Sequence, residues 1–198
     1  MLGNGRKTIG VFLSQAYHEY QDMVCRGICS RANGLGYNVA IFSNFLGYGE
    51  FKYEIGESYI AHLPRYEDLD GIIMLPDTMH VKEYKENIIE NIKQYGKCPV
   101  VSIRQNIEDY FNVLIDDENI LEDIIRHFIE VHKFKKLNFL TGPKDNPASD
   151  QRLSTYRRIL SEYGLPIEEE RIYYGDFWKD SAWHAVNKWL SNPDTWPE

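Results

Sequence analysis

Short, nearly continuous apolar runs alternate with amphipathic stretches along the whole chain. "TIGVFL" at 8–13, "YNVAIF" at 37–42, "DGIIML" at 70–75 and "CPVVSI" at 98–103 form a first series. "FNVLID" at 111–116, "KLNFLTG" at 136–142 and "RIYYG" at 171–175 form a second. Between them, 20–35, 81–95, 119–132, 149–163 and 180–190 read as helices, with Met23, Val24, Gly27 and Ile28 on one stripe of the first. Strands without polar alternation, separated by helices, predict a parallel sheet covered on both faces. The expected fold class is therefore α/β, with two doubly wound parallel-sheet lobes in series. Residues 1–104 make the N-terminal lobe, 105–110 the hinge crossover and 111–198 the C-terminal lobe.

Such sheets bind ligands beyond the carboxyl ends of their strands, where loops from different strands meet. The positions that matter are then 14–20, 44–48, 76–80, Arg104, Asp116, 141–152 and 176–178, a set rich in Tyr, His, Asp and Arg. "YYGDFW" at 173–178 is typical: an acid and two large aromatics directly after a strand and before a helix.

Composition narrows the chemistry. With 198 residues, 43% hydrophobic and 26% charged, the chain can bury a real core. A formal charge of −8 argues against a surface built to grip nucleic acid, so this segment is expected to make no direct nucleic-acid contact. No apolar run reaches the length of a membrane span, and the N-terminus lacks the pattern of a secretory signal, so a cytoplasmic setting is expected. Cys25 and Cys29 share a helix face, but zinc needs two further ligands and no second Cys or His pair is evident. Free thiols are expected, and no metal or cofactor. Catalytic motifs are missing: His127 and His132 in "HFIEVH" are five apart rather than four, and there is no P-loop, GxSxG elbow or GxGxxG.

Taken in order, the strand-end loops resemble the ligand-binding core of the LacI-type, periplasmic-binding-protein-like (type I) family. "KTIGVFLSQAYHEYQDMVCRGICSRANGLGYNVAIF" resembles its opening strand, ligand loop, first helix and second strand. "LDGIIMLPDT" and "CPVVSI" resemble the third and fourth strands. "NVLIDDENILEDIIRHFIEVHKFKKLNFLTG", "DQRLSTY" and "YGDF" resemble the second lobe. The resemblance implies a hinged sensor that closes on a small polar ligand such as a sugar or nucleoside and passes the closure to an output domain. It also implies that the second lobe is incomplete, because the chain stops at "SNPDTWPE" where the family places further strands; the uncovered sheet edge and apolar surface this leaves predict a homodimer. "YHEYQ" and "YGDFW" resemble more closely the sensor halves of bacterial signalling proteins with a diguanylate cyclase (GGDEF) output. The alternative is the effector-binding core of a LacI-family transcriptional regulator.

The resemblance points to Tyr17, His18, Tyr20, Asp77, Asp116, Arg152, Asp176, Phe177 and Trp178 as ligand-binding residues. Each has a plainer reading. Tyr20 either stacks on ligand or packs in the lobe interface. Asp77 and Asp116 either touch ligand or cap the helices that follow. Arg152, expected in the first turn of its helix, offers a planar fork for a carboxylate or vicinal hydroxyls, or is a solvated helix Arg. Asp176 orders its turn or accepts a hydroxyl; Phe177 stacks on ligand, and Trp178 extends that platform or shields the hinge.

Overall fold

The computed structural model describes residues 4–45, 56–144 and 146–197. The chain divides into two compact units, Met1–Ile115 and Asp116–Glu198.

In the first unit, β1 (Thr8–Ser14), β2 (Asn38–Asn44), β3 (Gly71–Met74), β4 (Val100–Ile103) and β5 (Phe111–Val113) form one sheet. Its order is β2-β1-β3-β4-β5, and every pairing is parallel. The α-helices α1 (Glu19–Gly34) and α2 (Lys82–Tyr95) are its long crossovers. The continuous apolar runs behave as expected of strands covered on both faces: Val11, Phe12, Leu13 and Met74 are wholly buried. Phe12 lies between Phe42 and Tyr66, with ring centroids 4.9 and 5.4 Å away. Burying such a side chain contributes roughly 1.5–3 kcal/mol. The buried tyrosines keep their hydroxyls satisfied, Tyr66 donating to the Ala61 carbonyl at 2.6 Å and Tyr84 to that of Leu13 at 3.3 Å. Chain order reverses between β1 and β3, the topological position at which open parallel sheets bind ligands beyond their carboxyl ends.

The second unit contains α3 (Asp117–Glu130), β6 (Phe139–Thr141), α4 (Pro147–Glu162), β7 (Ile172–Tyr174) and α5 (Lys179–Leu190). β6 and β7 pair in parallel, Leu140 opposite Tyr173. Ile125 from α3, Leu153, Tyr156, Ile159 and Leu160 from α4, and Ile172 from β7 make its core. On the surface Arg126 and Arg158 bridge Glu122 and Glu162, joining α3 to α4. Exposed pairs of this kind contribute little singly. Arg171 is different. It is 3% exposed, and its guanidinium donates to Asn138 Oδ1 at 3.0 Å, the Asp194 carbonyl at 2.5 Å and the Trp196 carbonyl at 3.2 Å, besides pairing with Glu168.

One boundary moves. The strand at 111–116, expected to open the second lobe, pairs with β4 instead, Ser102 opposite Asn112, and the division falls after Ile115. An apolar run shows that a strand forms but not which neighbour it hydrogen-bonds. Helix ends also shift: α4 starts at Pro147, because Asn146 caps it by accepting from Ala148 N at 3.0 Å and Ser149 N at 3.2 Å. Arg152 thereby lies in the second turn of α4, not the first. Among the described residues no helix is long and apolar enough to cross a membrane.

Candidate functional site

β1 ends at Ser14, and the chain turns sharply through Gln15, whose φ is +53°. Two backbone N–H groups hold this turn against β2: Gln15 N donates to the Asn44 carbonyl at 2.7 Å, and Ala16 N to the Ser43 side-chain Oγ at 3.1 Å. Tyr17 and His18 follow with rings 4.4 Å apart, and Phe45, just after β2, stacks on Tyr17 at 5.5 Å. His18 is the residue before α1, and its side chain makes no capping bond. Tyr20, in the first turn of α1, aims its hydroxyl at Asp77.

Asp77 comes from the short turn after β3. Thr78 anchors that turn, accepting from Ser14 N at 3.0 Å and donating to the Leu75 carbonyl at 2.7 Å. A third strand end supplies the cation. Arg104 directly follows β4 with φ of +66°, places its Nε 3.5 Å from the Asp77 carboxylate, and carries its guanidinium over the Tyr20 ring at 5.9 Å. The three ends of β1, β3 and β4 thus bring together Tyr20, Asp77 and Arg104. Burial pushes the Asp77 carboxyl above its ordinary value, and the Arg104 charge and Tyr20 hydroxyl pull part of the way back. Two buried polar atoms at the end of β1, Ser14 Oγ and Gln15 Oε1, have no hydrogen-bond partner among the described residues. Leaving such groups unmet costs about 1–3 kcal/mol each, so they suit a polar guest or water.

Asp116, Arg152, Asp176, Phe177 and Trp178 belong to the second unit. Asp116 is the N-cap of α3: Asn119 N donates to its Oδ1 at 3.3 Å and Asn119 Nδ2 to its Oδ2 at 2.5 Å. Arg152 donates to Asp117 Oδ2 at 2.7 Å, tying the start of α4 to that of α3. Asp176 closes its own turn. It accepts from Trp178 N at 2.9 Å and from Ser181 Oγ, and this last bond holds its carboxyl below the usual range. Phe177 adopts φ of +69°, which lays its ring over Gly142 beside Ser149; any side chain at Gly142 would overlap both. The ring remains about half exposed, and Trp178 begins α5 as its N-cap.

Sequence reasoning placed Arg104 at a strand end without singling it out. Its position after "CPVVSI" was the available signal; its pairing with Asp77, 27 positions earlier, was not readable along the chain.

No protein-family model matches the chain. Catabolite control protein A of Priestia megaterium is 27% identical over 192 residues, covering 94% of this chain and 53% of that protein. A sugar-binding transcriptional regulator of the LacI family from Enterococcus faecalis superposes with a TM-score of 0.65 at 26% identity, covering 94% of this chain and 62% of that one. The Escherichia coli transcriptional repressor ascG superposes with a TM-score of 0.68 at 20% identity, covering 94% and 65%. The chain has the LacI-type, periplasmic-binding-protein-like fold. It spans about half the length of the curated relatives it matches. Within that fold, Tyr17, Tyr20, Asp77 and Arg104 occupy carboxyl ends of the first unit's strands, and Phe177 follows a strand of the second.

Proposed function

We propose that this chain is the effector-binding core of a LacI-type transcriptional regulator, sensing a small polyhydroxylated ligand such as a sugar or nucleoside. The observation that carries the reading is the Tyr20–Asp77–Arg104 cluster. A carboxylate beside a guanidinium offers acceptor and donors to neighbouring hydroxyls, and the faces of Tyr17 and Phe45 offer a stacking surface for a ring. The unmet Ser14 and Gln15 atoms add polar contacts at the same strand ends. What supports the output is the company the fold keeps: the relatives named above are transcription regulators, so ligand occupancy is read out as DNA affinity rather than as diguanylate cyclase activity. In this reading the protein acts as a homodimer, and ligand shifts the population toward whichever form binds it better.

The test is calorimetric titration of hexoses, disaccharides and nucleosides into the wild type, Arg104→Ala and Tyr20→Phe. One ligand class should bind, and Arg104→Ala should weaken it about tenfold or more, since hydrogen bonds to a charged group contribute about 1.5–3 kcal/mol. Equal affinity in wild type and Arg104→Ala would remove the site. For the full-length polypeptide, ligand should change operator affinity in a gel-shift assay. A ligand that alters cyclic dinucleotide synthesis instead would replace the proposed output.

A further inference from the structure

His127 and His132 take no part in the site above. On an unbroken helix, residues five apart point about 140° away from each other. Here α3 ends at Glu130, and the chain folds back. Val131 N and His132 N both donate to the His127 carbonyl, at 2.9 and 3.4 Å. Lys133 takes φ of +61°, and Phe134 N donates to the Phe128 carbonyl at 3.1 Å. This turn returns the second imidazole to the first, with Nε2 atoms 3.1 Å apart and rings edge-on at 81°. His132 is held from behind by Phe134, stacked at 5.3 Å, while both histidines remain exposed.

We propose that His127 and His132 form a two-imidazole chelate for a late first-row divalent cation: Cu²⁺, Ni²⁺ or Zn²⁺. The separation fits. Two metal–nitrogen bonds of about 2.05 Å spanning 3.1 Å subtend about 98°, between the square-planar and tetrahedral angles. Across this gap one ring's Nε2–H donates to the other's Nε2; on metal binding that proton moves to Nδ1 of its own ring, and both Nε2 lone pairs turn to a cation lying off the line between them. The turn and the Phe134 stack hold the rings close before the metal arrives, so little ordering entropy is lost on binding. Among the described residues no set of three or more His, Cys, Asp or Glu is gathered to hold a metal, so the remaining positions are filled by water. Imidazole donors select these cations over Mg²⁺ and Ca²⁺, which take oxygen ligands, while the exposed Lys133, Lys135 and Lys136 lower the affinity for every divalent cation alike.

The test uses the chain without a polyhistidine tag, titrated calorimetrically with Cu²⁺, Ni²⁺ and Zn²⁺ salts in turn. One equivalent should bind, Cu²⁺ most tightly. His127→Ala and His132→Ala should each weaken that event at least tenfold, and the double variant should be no weaker than either single one. His184→Ala should leave it unchanged. His132→Gln, with its melting curve as a check on folding, should behave as His132→Ala. A wild type that binds no better than His132→Ala, or single losses that add independently in the double variant, would overturn the proposal.

Discussion

Arg171→Met is the sharpest test of how the second unit is held together. Methionine keeps an unbranched stem in the same space but removes the guanidinium. Four acceptors then lose their donor: Asn138 Oδ1, the Asp194 carbonyl, the Trp196 carbonyl and the Glu168 carboxylate. At about 1.5–3 kcal/mol for each hydrogen bond from a charged donor, the gross loss is roughly 6–12 kcal/mol. Part of it returns, because Glu168 is 44% exposed and regains water, and the turn carrying Asp194 and Trp196 lies at the surface and can hydrate its carbonyls. The expected net destabilisation is about 3–5 kcal/mol, the range for breaking a buried charged pair. The assay is unusually selective. All four tryptophans, Trp178, Trp183, Trp189 and Trp196, fall in the second unit, so their fluorescence reports its unfolding alone. For a unit of this size each kcal/mol moves the midpoint by about 4–8 °C, so the tryptophan-detected melt should fall by well over 10 °C. A shift under about 5 °C would show that the buried fork is not what fastens the terminal turn.

Two further outcomes follow from the geometry. Asp77 has its carboxyl raised by burial, so the folded protein keeps that proton to higher pH than the unfolded chain. The stability this contributes is complete below the unfolded value and is lost as pH rises through the folded one; Asp77→Asn should remove that slope from urea midpoints measured between acid and neutral pH, and an unchanged slope would assign it elsewhere. Gly142→Ala should destabilise the second unit by about 1–3 kcal/mol through overlap with Phe177 and Ser149. Adding Phe177→Ala should recover part of this in a double-mutant cycle; strict additivity would mean that the ring does not rest on Gly142.

The strands and helices were legible because burial on both faces of a sheet writes itself as unbroken apolar runs, as at Val11, Phe12 and Leu13. The same signal misled at 111–115. Phe111, Val113, Leu114 and Ile115 are apolar yet all about half exposed or more, and the strand joins the first sheet as its edge. For Asp116 and Asp117 adjacency hid a division of labour, one capping α3 and the other pairing with Arg152. Composition cannot separate two neighbouring acids. Arg104 was unreadable for another reason. Its pairing with Asp77 and contact with Tyr20 depend on where three strands end, and that is fixed by sheet order rather than by local pattern. His132 shows the limit of helical spacing, since the widened last turn, in which His132 N reaches back to the His127 carbonyl, undoes it.

Gln15, Arg104 and Phe177 share a backbone trait: each is a non-glycine residue in the left-handed region just beyond a strand. Holding an ordinary residue there costs roughly 1–2 kcal/mol, a penalty glycine escapes. Glycine at any of the three would relax the backbone and delete the side chain in a single step. On the proposed reading, laboratory selection for heat resistance alone should therefore drift toward glycine at these positions and yield hardier proteins with weakened ligand binding. A screen that also demands response should hold in place those of the three that the proposed function uses, so the substitutions recovered under the two regimes would test each position without knowledge of what is sensed.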